Sequence, residues 1–250
     1  MTLGRIGCTR VGTVVSSSII AKTDKNNVTT PLVRTPRLVA AYRRYLHGTD
    51  APQYAGDVNR YYSASTLATV LGRGDVEMRR AAAMALGLIG DRSAIEPLGR
   101  AISDPDRGVR LAADDSFRAL AVRDAAPLHH QQLLKVMHLN DGGEFGAALS
   151  LTMILVDQAP MYAEAYHQLG VCYLGLDNFD EAEAALCSCL WQCRYHYPAW
   201  QGLARCKIAE GDLSAAIHSL DRALEICPDL ESARVQIRAI RRQMKRSENG

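Results

Sequence analysis

Gly143-Glu144-Phe145-x-x-Ala148, Asp177-Asn178-Phe179-x-x-Ala182 and Gly211-Asp212-Leu213-x-x-Ala216 are one phrase written three times at a constant step. A fixed step of that length is the mark of helical units stacked in a row. Other positions keep the step: Tyr166 with Trp200, Leu169 with Leu203, Cys172 with Cys206, Cys193 with Cys227, and Pro160 with Pro228 two periods on. The phrase therefore divides the chain into units at 129–162, 163–196 and 197–230. Apolar residues recur within them at i, i+3 and i+4, which lines up one face of a helix. Small residues at Gly170 and Ala204, and at Ala148, Ala182 and Ala216, let two antiparallel helices approach closely. Residues 231–246 follow with Ala233, Ile237, Ile240 and Met244 on one stripe and Arg234, Arg238, Arg241, Arg242 and Lys245 elsewhere, the layout of a solvating terminal cap. The same basic layout would also serve to grip an anion, and that alternative stays open.

This pattern resembles the tetratricopeptide family, helix–turn–helix units marked by a bulky aromatic, Leu-Gly, Tyr, Ala and Pro. The middle unit reads Tyr166-x-x-Leu169-Gly170-x-x-Tyr173 with Ala182. Departures are Gln132 and Lys135, where the first unit should have an aromatic and Leu, and Arg194 in place of the usual Pro. The resemblance implies a concave groove lined by the first helix of each pair, at the second, fifth, ninth, twelfth and thirteenth positions of a unit. These are Glu164, His167, Val171, Leu174 and Gly175 in the second unit, and Pro198, Gln201, Arg205, Ile208 and Ala209 in the third. An amphipathic or extended peptide is expected there, held through Val171, Leu174 and Ile208, with Glu164 alongside and His167, Gln201 and Arg205 giving orientation. Some members of the family clamp a terminal carboxylate with several cations at these positions. Arg205 is the one basic residue among the ten, so that occupant is disfavoured. Leu174 and Ile208 packing against neighbouring helices or the N-terminal leader of the same chain is the competing account.

A second, shorter period lies upstream. Asp75-x-x-Met78-Arg79-x-Ala81-Ala82 returns one step later as Asp106-x-x-Val109-Arg110-x-Ala112-Ala113. Between the copies, Ser93-x-x-Glu96 reads as a capping box with Pro97 in the first turn of its helix. This segment resembles short HEAT-like repeats of the type named after phycobilisome lyases, in which an Asp, a following Arg and paired Ala mark each helical pair. Two earlier helices are expected at 36–47 and 57–72, announced by Thr35-Pro36 and Thr49-Asp50-Ala51-Pro52. The expected organisation is an all-α solenoid of antiparallel helix pairs: a disordered leader at 1–34, a HEAT-like array at 35–125, and three tetratricopeptide-like units with a capping helix at 129–246. The leader holds Arg5, Arg10 and Lys22 without an acid before Asp24. That leaves a targeting role open, although Gly4, Gly7 and Gly12 spoil a helix there.

Composition bounds the function. Of the 250 residues, 48% are apolar, ample for a packed core, and 29 Lys plus Arg against 27 Asp plus Glu leave a net charge of +2. That balance is far from the strongly basic one of a nucleic-acid binder, so no nucleic acid is expected. No apolar run approaches the roughly 20 residues that span a bilayer. Five of the seven cysteines (Cys172, Cys187, Cys189, Cys193 and Cys206) crowd one helical stretch, which fits a reduced, cytoplasmic setting. On a helix Cys189 and Cys193 share a face while Cys187 points about 160° from Cys189, so these thiols do not converge on a zinc ion. His129, His130 and His138 lack accompanying ligands at metal spacing, and no metal or cofactor is expected. There is no GxSxG, no Walker A loop and no GxGxxG after a strand, hence no catalytic residue to nominate. The resulting expectation is a non-catalytic scaffold or adaptor that binds a peptide or partner helix. Asp104, Asp106, Asp114 and Asp115, with Arg107 and Arg110, carry the alternative of a lyase-like or pigment-handling protein; Asp106 is otherwise a helix cap and Arg110 a bridge to the neighbouring repeat. The basic C-terminal helix carries the third reading, an anion-binding adaptor.

Overall fold

A computed structural model describes residues 35–248, with side chains through residue 246; the expected leader at 1–34 lies outside the described residues. Among the described residues there are thirteen α-helices and no strand. Six helices make the first array: α1 (Arg37–Gly48), α2 (Ala51–Asn59), α3 (Ala64–Arg73), α4 (Val76–Ile89), α5 (Ile95–Ala101) and α6 (Arg107–Arg123). Their starts are written in capping residues. The carboxylates of Asp50, Asp75 and Asp106 accept the backbone N–H three residues on, at 2.8, 2.9 and 2.9 Å.

Two local expectations are corrected. The helix expected at 57–72 is two helices, because Ser63 caps a fresh start by accepting the Thr66 N–H at 3.2 Å. The chain between them turns at residues 60–63. The capping box at Ser93 is also displaced: Asp91 accepts both the Ser93 N–H and its hydroxyl, winding Arg92–Ala94 into a short 3-10 turn before α5. A carboxylate two residues upstream outcompetes the hydroxyl for the first free amide.

The second array is α7 (Pro127–Asp141) with α8 (Phe145–Gln158), α9 (Ala163–Gly175) with α10 (Phe179–Gln192), and α11 (Tyr197–Ala209) with α12 (Leu213–Ile226). The capping helix is α13 (Glu231–Glu248). The repeated phrase is the turn inside each pair. Gly143, Asp177 and Gly211 sit at φ of 76°, 58° and 83°, a left-handed conformation that Gly adopts freely and Asp tolerates better than most. The small residues act as the spacing implies. A Cβ at Gly170 would lie 2.6 Å from Leu186 Cγ, and one at Gly202 would lie 2.8 Å from Leu186 Cδ1. Leu186 of α10 is thus wedged against both α9 and α11, fully buried.

The two arrays form one core. Phe117, Leu98 and Leu86 from the first share a buried cluster with Ala163, Leu174, Leu186 and Tyr197 from the second. Helices α5 and α6 lie along the edge where successive units of the second array join. Tyr195 packs on Gly99, the Tyr197 hydroxyl donates to Asp114 Oδ1 at 2.9 Å, and Arg194 pairs with Glu96 at 2.6 Å. The Tyr162 hydroxyl, buried at the end of the first unit, donates to the Val122 carbonyl. Arg79 and Arg110, at the same position of the two HEAT-like copies, make equivalent contacts. Each donates to a carbonyl five or six residues back, and each grips a carboxylate with both arms of its guanidinium. Arg79 takes Asp104 of the following repeat, whereas Arg110 takes the far more distant Asp229, between α12 and α13. Asp229 stands where a third repeat's aspartate would be.

Candidate binding groove and the buried cluster behind it

The seven residues expected on the groove come from α9 and α11, and burial sorts them. Arg205 is exposed and Ile208 is 39% exposed, while Val171, His167 and Gln201 are half-buried. Gln201 Nε2 donates to Ser232 Oγ of α13 at 3.2 Å. Two of the seven lie inside. Leu174 is 3% exposed, although Ile208 occupies its position one unit later. The reason is place in the row: α9 has α7 on one side and α11 on the other, whereas α11 is followed by its own partner α12 and the cap α13. Leu174 is therefore a core residue in contact with the rest of the protein.

Glu164 is the second, and it sits in a polar cluster. It is 7% exposed. His167 Nδ1 lies 3.0 Å from its Oε1, Gln168 Nε2 donates to the same oxygen at 2.9 Å, and His196 Nε2 lies 2.9 Å from Oε2. His196 is itself the cap of α11, its Nδ1 accepting the Ala199 N–H at 3.3 Å. A neutral ring that accepts at Nδ1 carries its proton on Nε2, so His196 donates to Glu164. Burial pushes the His196 pKa down and keeps the ring neutral. For Glu164, burial alone would push the pKa up, but His167 and His196 outweigh it and hold the carboxyl well below its usual range. The polar chain continues inward: Asn140 Nδ2 donates to Gln168 Oε1 at 2.9 Å, and the Cys172 thiol donates to Asn140 Oδ1 at 3.2 Å. It thereby links α7, α9 and the start of α11 through the interior of the array.

The sequence carried a signal for this cluster that groove-position reasoning passed over. Glu164 and His167 are three apart on one helix, hence neighbours on its surface, and His196 follows Glu164 by close to one full repeat. The cysteines behave as their spacing requires. Cys189 and Cys193 are buried and Cys187 is exposed, so the three do not meet. Burial raises the Cys193 thiol to about 11.

Other surface features lay outside the expected groove. A cleft of about 760 Å³ runs between α3 and α5, with Leu71 and Pro97 on its walls and Arg73, Arg100 and Ser103 at its rim. Trp191 of α10 is 87% exposed. The acidic patch resolves into separate pairs: Asp104 with Arg79, Asp106 with Arg80, Asp114 with Tyr197 and Arg118, and Asp115 with Arg118.

The family model described as HEAT repeats matches residues 64–128, and the one described as tetratricopeptide repeat matches 163–190 and 197–230. The chain carries HEAT repeats followed by tetratricopeptide repeats. The tetratricopeptide match omits the first unit, α7 with α8, in which Gln132 stands at the aromatic position and its buried Oε1 lacks a hydrogen-bond partner. No curated protein matches the chain in sequence. Solved structures that match include a thermophilic TPR protein in Thermus thermophilus, at 20% identity and a TM-score of 0.36 over 82% of this chain and 96% of that one. Others are the TPR2AB domain of yeast Sti1 in a pHSP90 complex, at 15% identity and 0.41 over 82% and 95%, and YrrB, a TPR protein with an unusual peptide-binding site, at 20% and 0.40 over 78% and 95%. Among the described residues no helix is long and apolar enough to cross a membrane.

Proposed function

We propose that the chain is a non-catalytic interaction scaffold that binds a peptide or a partner helix across α9 and α11 of its tetratricopeptide repeats. The observation that carries this reading is the run of accessible side chains at equivalent positions of the two helices: His167 and Val171 on α9, then Gln201, Arg205 and Ile208 on α11. Ile208 and Val171 offer apolar area, and Arg205 offers a charge-assisted hydrogen bond to an acidic or carbonyl-rich ligand. Glu164 and Leu174 act from behind, fixing the two helices in register rather than touching the ligand. The balanced net charge argues against nucleic acid as the partner, and the crowding of Cys172, Cys187, Cys189, Cys193 and Cys206 in one helical stretch supports a reduced, cytoplasmic setting.

The test is selection of peptides from a random display library on the full chain, followed by photo-cross-linking of a selected peptide. Cross-links at Val171, Arg205 or Ile208 support the reading. Failure to enrich any sequence, or cross-links confined to the α3–α5 cleft, rejects this location for the site.

A further inference from the structure

The interior of the repeat array holds a donor set of which the scaffold reading uses only His167, at its outer edge. We propose that Glu164, His167 and His196 form a binding site for one divalent transition-metal ion. One ligand atom from each, a carboxylate oxygen and two imidazole nitrogens, lies within 4.8 Å of the others, and the two rings are 4.6 Å apart between centroids. Two nitrogens and an oxygen from rigid positions are the ligand chemistry of zinc, cobalt or iron in the divalent state, with an open position left for solvent.

Two features argue for more than a hydrogen-bond cluster. The first is rigidity. Glu164 and His167 are fixed on α9 and His196 at the cap of α11, with Gln168 and Asn140 bracing the carboxylate from behind, which is the role outer partners play around metal ligands. The second is access. The His167 side chain is 16% exposed, whereas His196 is 3% and Glu164 9%, so His167 forms the door between the cluster and solvent. Cys189 is buried nearby but does not belong to the group of converging ligand atoms, and it is left out of the donor set.

Coordination is balanced without redox chemistry. The ion takes the Nε2 lone pair of His196, whose single proton moves to Nδ1, and the 3.3 Å bond to Ala199 is given up. The Oε2 contact between Glu164 and His196 is replaced by bonds from each to the ion. If His167 enters protonated, that proton leaves to solvent.

Cobalt(II) titrated into the untagged full chain at neutral pH is the test, read by equilibrium dialysis and by its visible and near-ultraviolet absorption. The expected result is one ion per chain, with ligand-field bands and no thiolate charge-transfer band. His167→Gln, which retains a hydrogen bond to Glu164, weakens binding at least tenfold, and Cys187→Ser leaves it unchanged. Absence of stoichiometric binding, a thiolate band, or equal affinity in folded His167→Gln overturns the proposal. Should His167→Gln fail to fold, zinc added to the wild-type chain decides by imidazole NMR: two of the seven histidine rings must shift together at one equivalent, and no shift, or a shift of other rings, overturns it.

Discussion

Asp106 does two jobs with one carboxylate, accepting the Val109 N–H to start α6 and pairing with Arg80 through both oxygens at 2.9 Å. The Arg80 hydrogen bonds, aided by the backbone amides, hold its pKa down at about 2 against an ordinary value near 4. A pKa depressed on folding contributes stability above the unfolded value, and that contribution is lost as pH falls through the folded one. Asp106→Asn, which keeps a capping oxygen but not the ion pair, is therefore predicted to be less stable than wild type at neutral pH, with the gap closing between about pH 4 and pH 2 in urea titrations. Asp106 was legible as a cap because its position just before a small-residue helix is a local signal. Glu164 was legible in its spacing from His167 and His196 but not in its inward orientation. Its repeat position says groove, and only the meeting of α9 with the cap of α11 turns the side chain inward onto His196. Asp229 was hidden for a similar reason, since no step of the upstream repeat leads to it from Arg110.

Among the elements, the turns inside each tetratricopeptide pair were the most readable, because their left-handed residue recurs in the quoted phrase itself. The junction of α5 with the loop before α11 was the least readable. Gly99 is close-packed under Tyr195, and a Cβ there would fall 2.6 Å from Tyr195 Cβ, near enough to the loop backbone that the contact cannot be relieved by swinging the ring. Gly99→Ala is predicted to cost about 1–3 kcal/mol in chemical denaturation, the usual range for overpacking, despite the better helix propensity of alanine. Helix α13 separates its two faces as its sequence implied. Ala233, Ile237 and Ile240 are buried against Ala216 and Leu220 of α12, while Arg241 and Arg242 are exposed. Ile240→Ala should cost about 2 kcal/mol, at the low end for buried isoleucine because the helix is terminal. Arg241→Ser with Arg242→Ser should stay within about 0.5 kcal/mol of wild type. A marked loss of stability in that double variant would mean that the basic face does structural work.

At the scale of the molecule, the sequence announced two repeat periods and an all-α solenoid, but not that the HEAT repeats run alongside the tetratricopeptide repeats. Periodicity reports contacts between neighbours in sequence order. The Arg110–Asp229 and Tyr197–Asp114 contacts join residues 119 and 83 positions apart. Because Phe117, Ala163, Leu174 and Tyr197 share one buried cluster, the chain is predicted to unfold in a single calorimetric transition, with equal calorimetric and van't Hoff enthalpies. Two resolved transitions would mean that the arrays are independent. The same cover over one edge leaves α9 and α11 to present the remaining groove, which is why the scaffold reading rests on their exposed side chains. Its most direct test is the affinity of a peptide selected on the wild-type chain for the double variant Arg205→Glu with Ile208→Asp, both at accessible positions of α11. The predicted result is a loss of about 100-fold, equivalent to about 2.7 kcal/mol, at an unchanged melting temperature. Equal affinity in the folded variant would contradict the groove as the binding site.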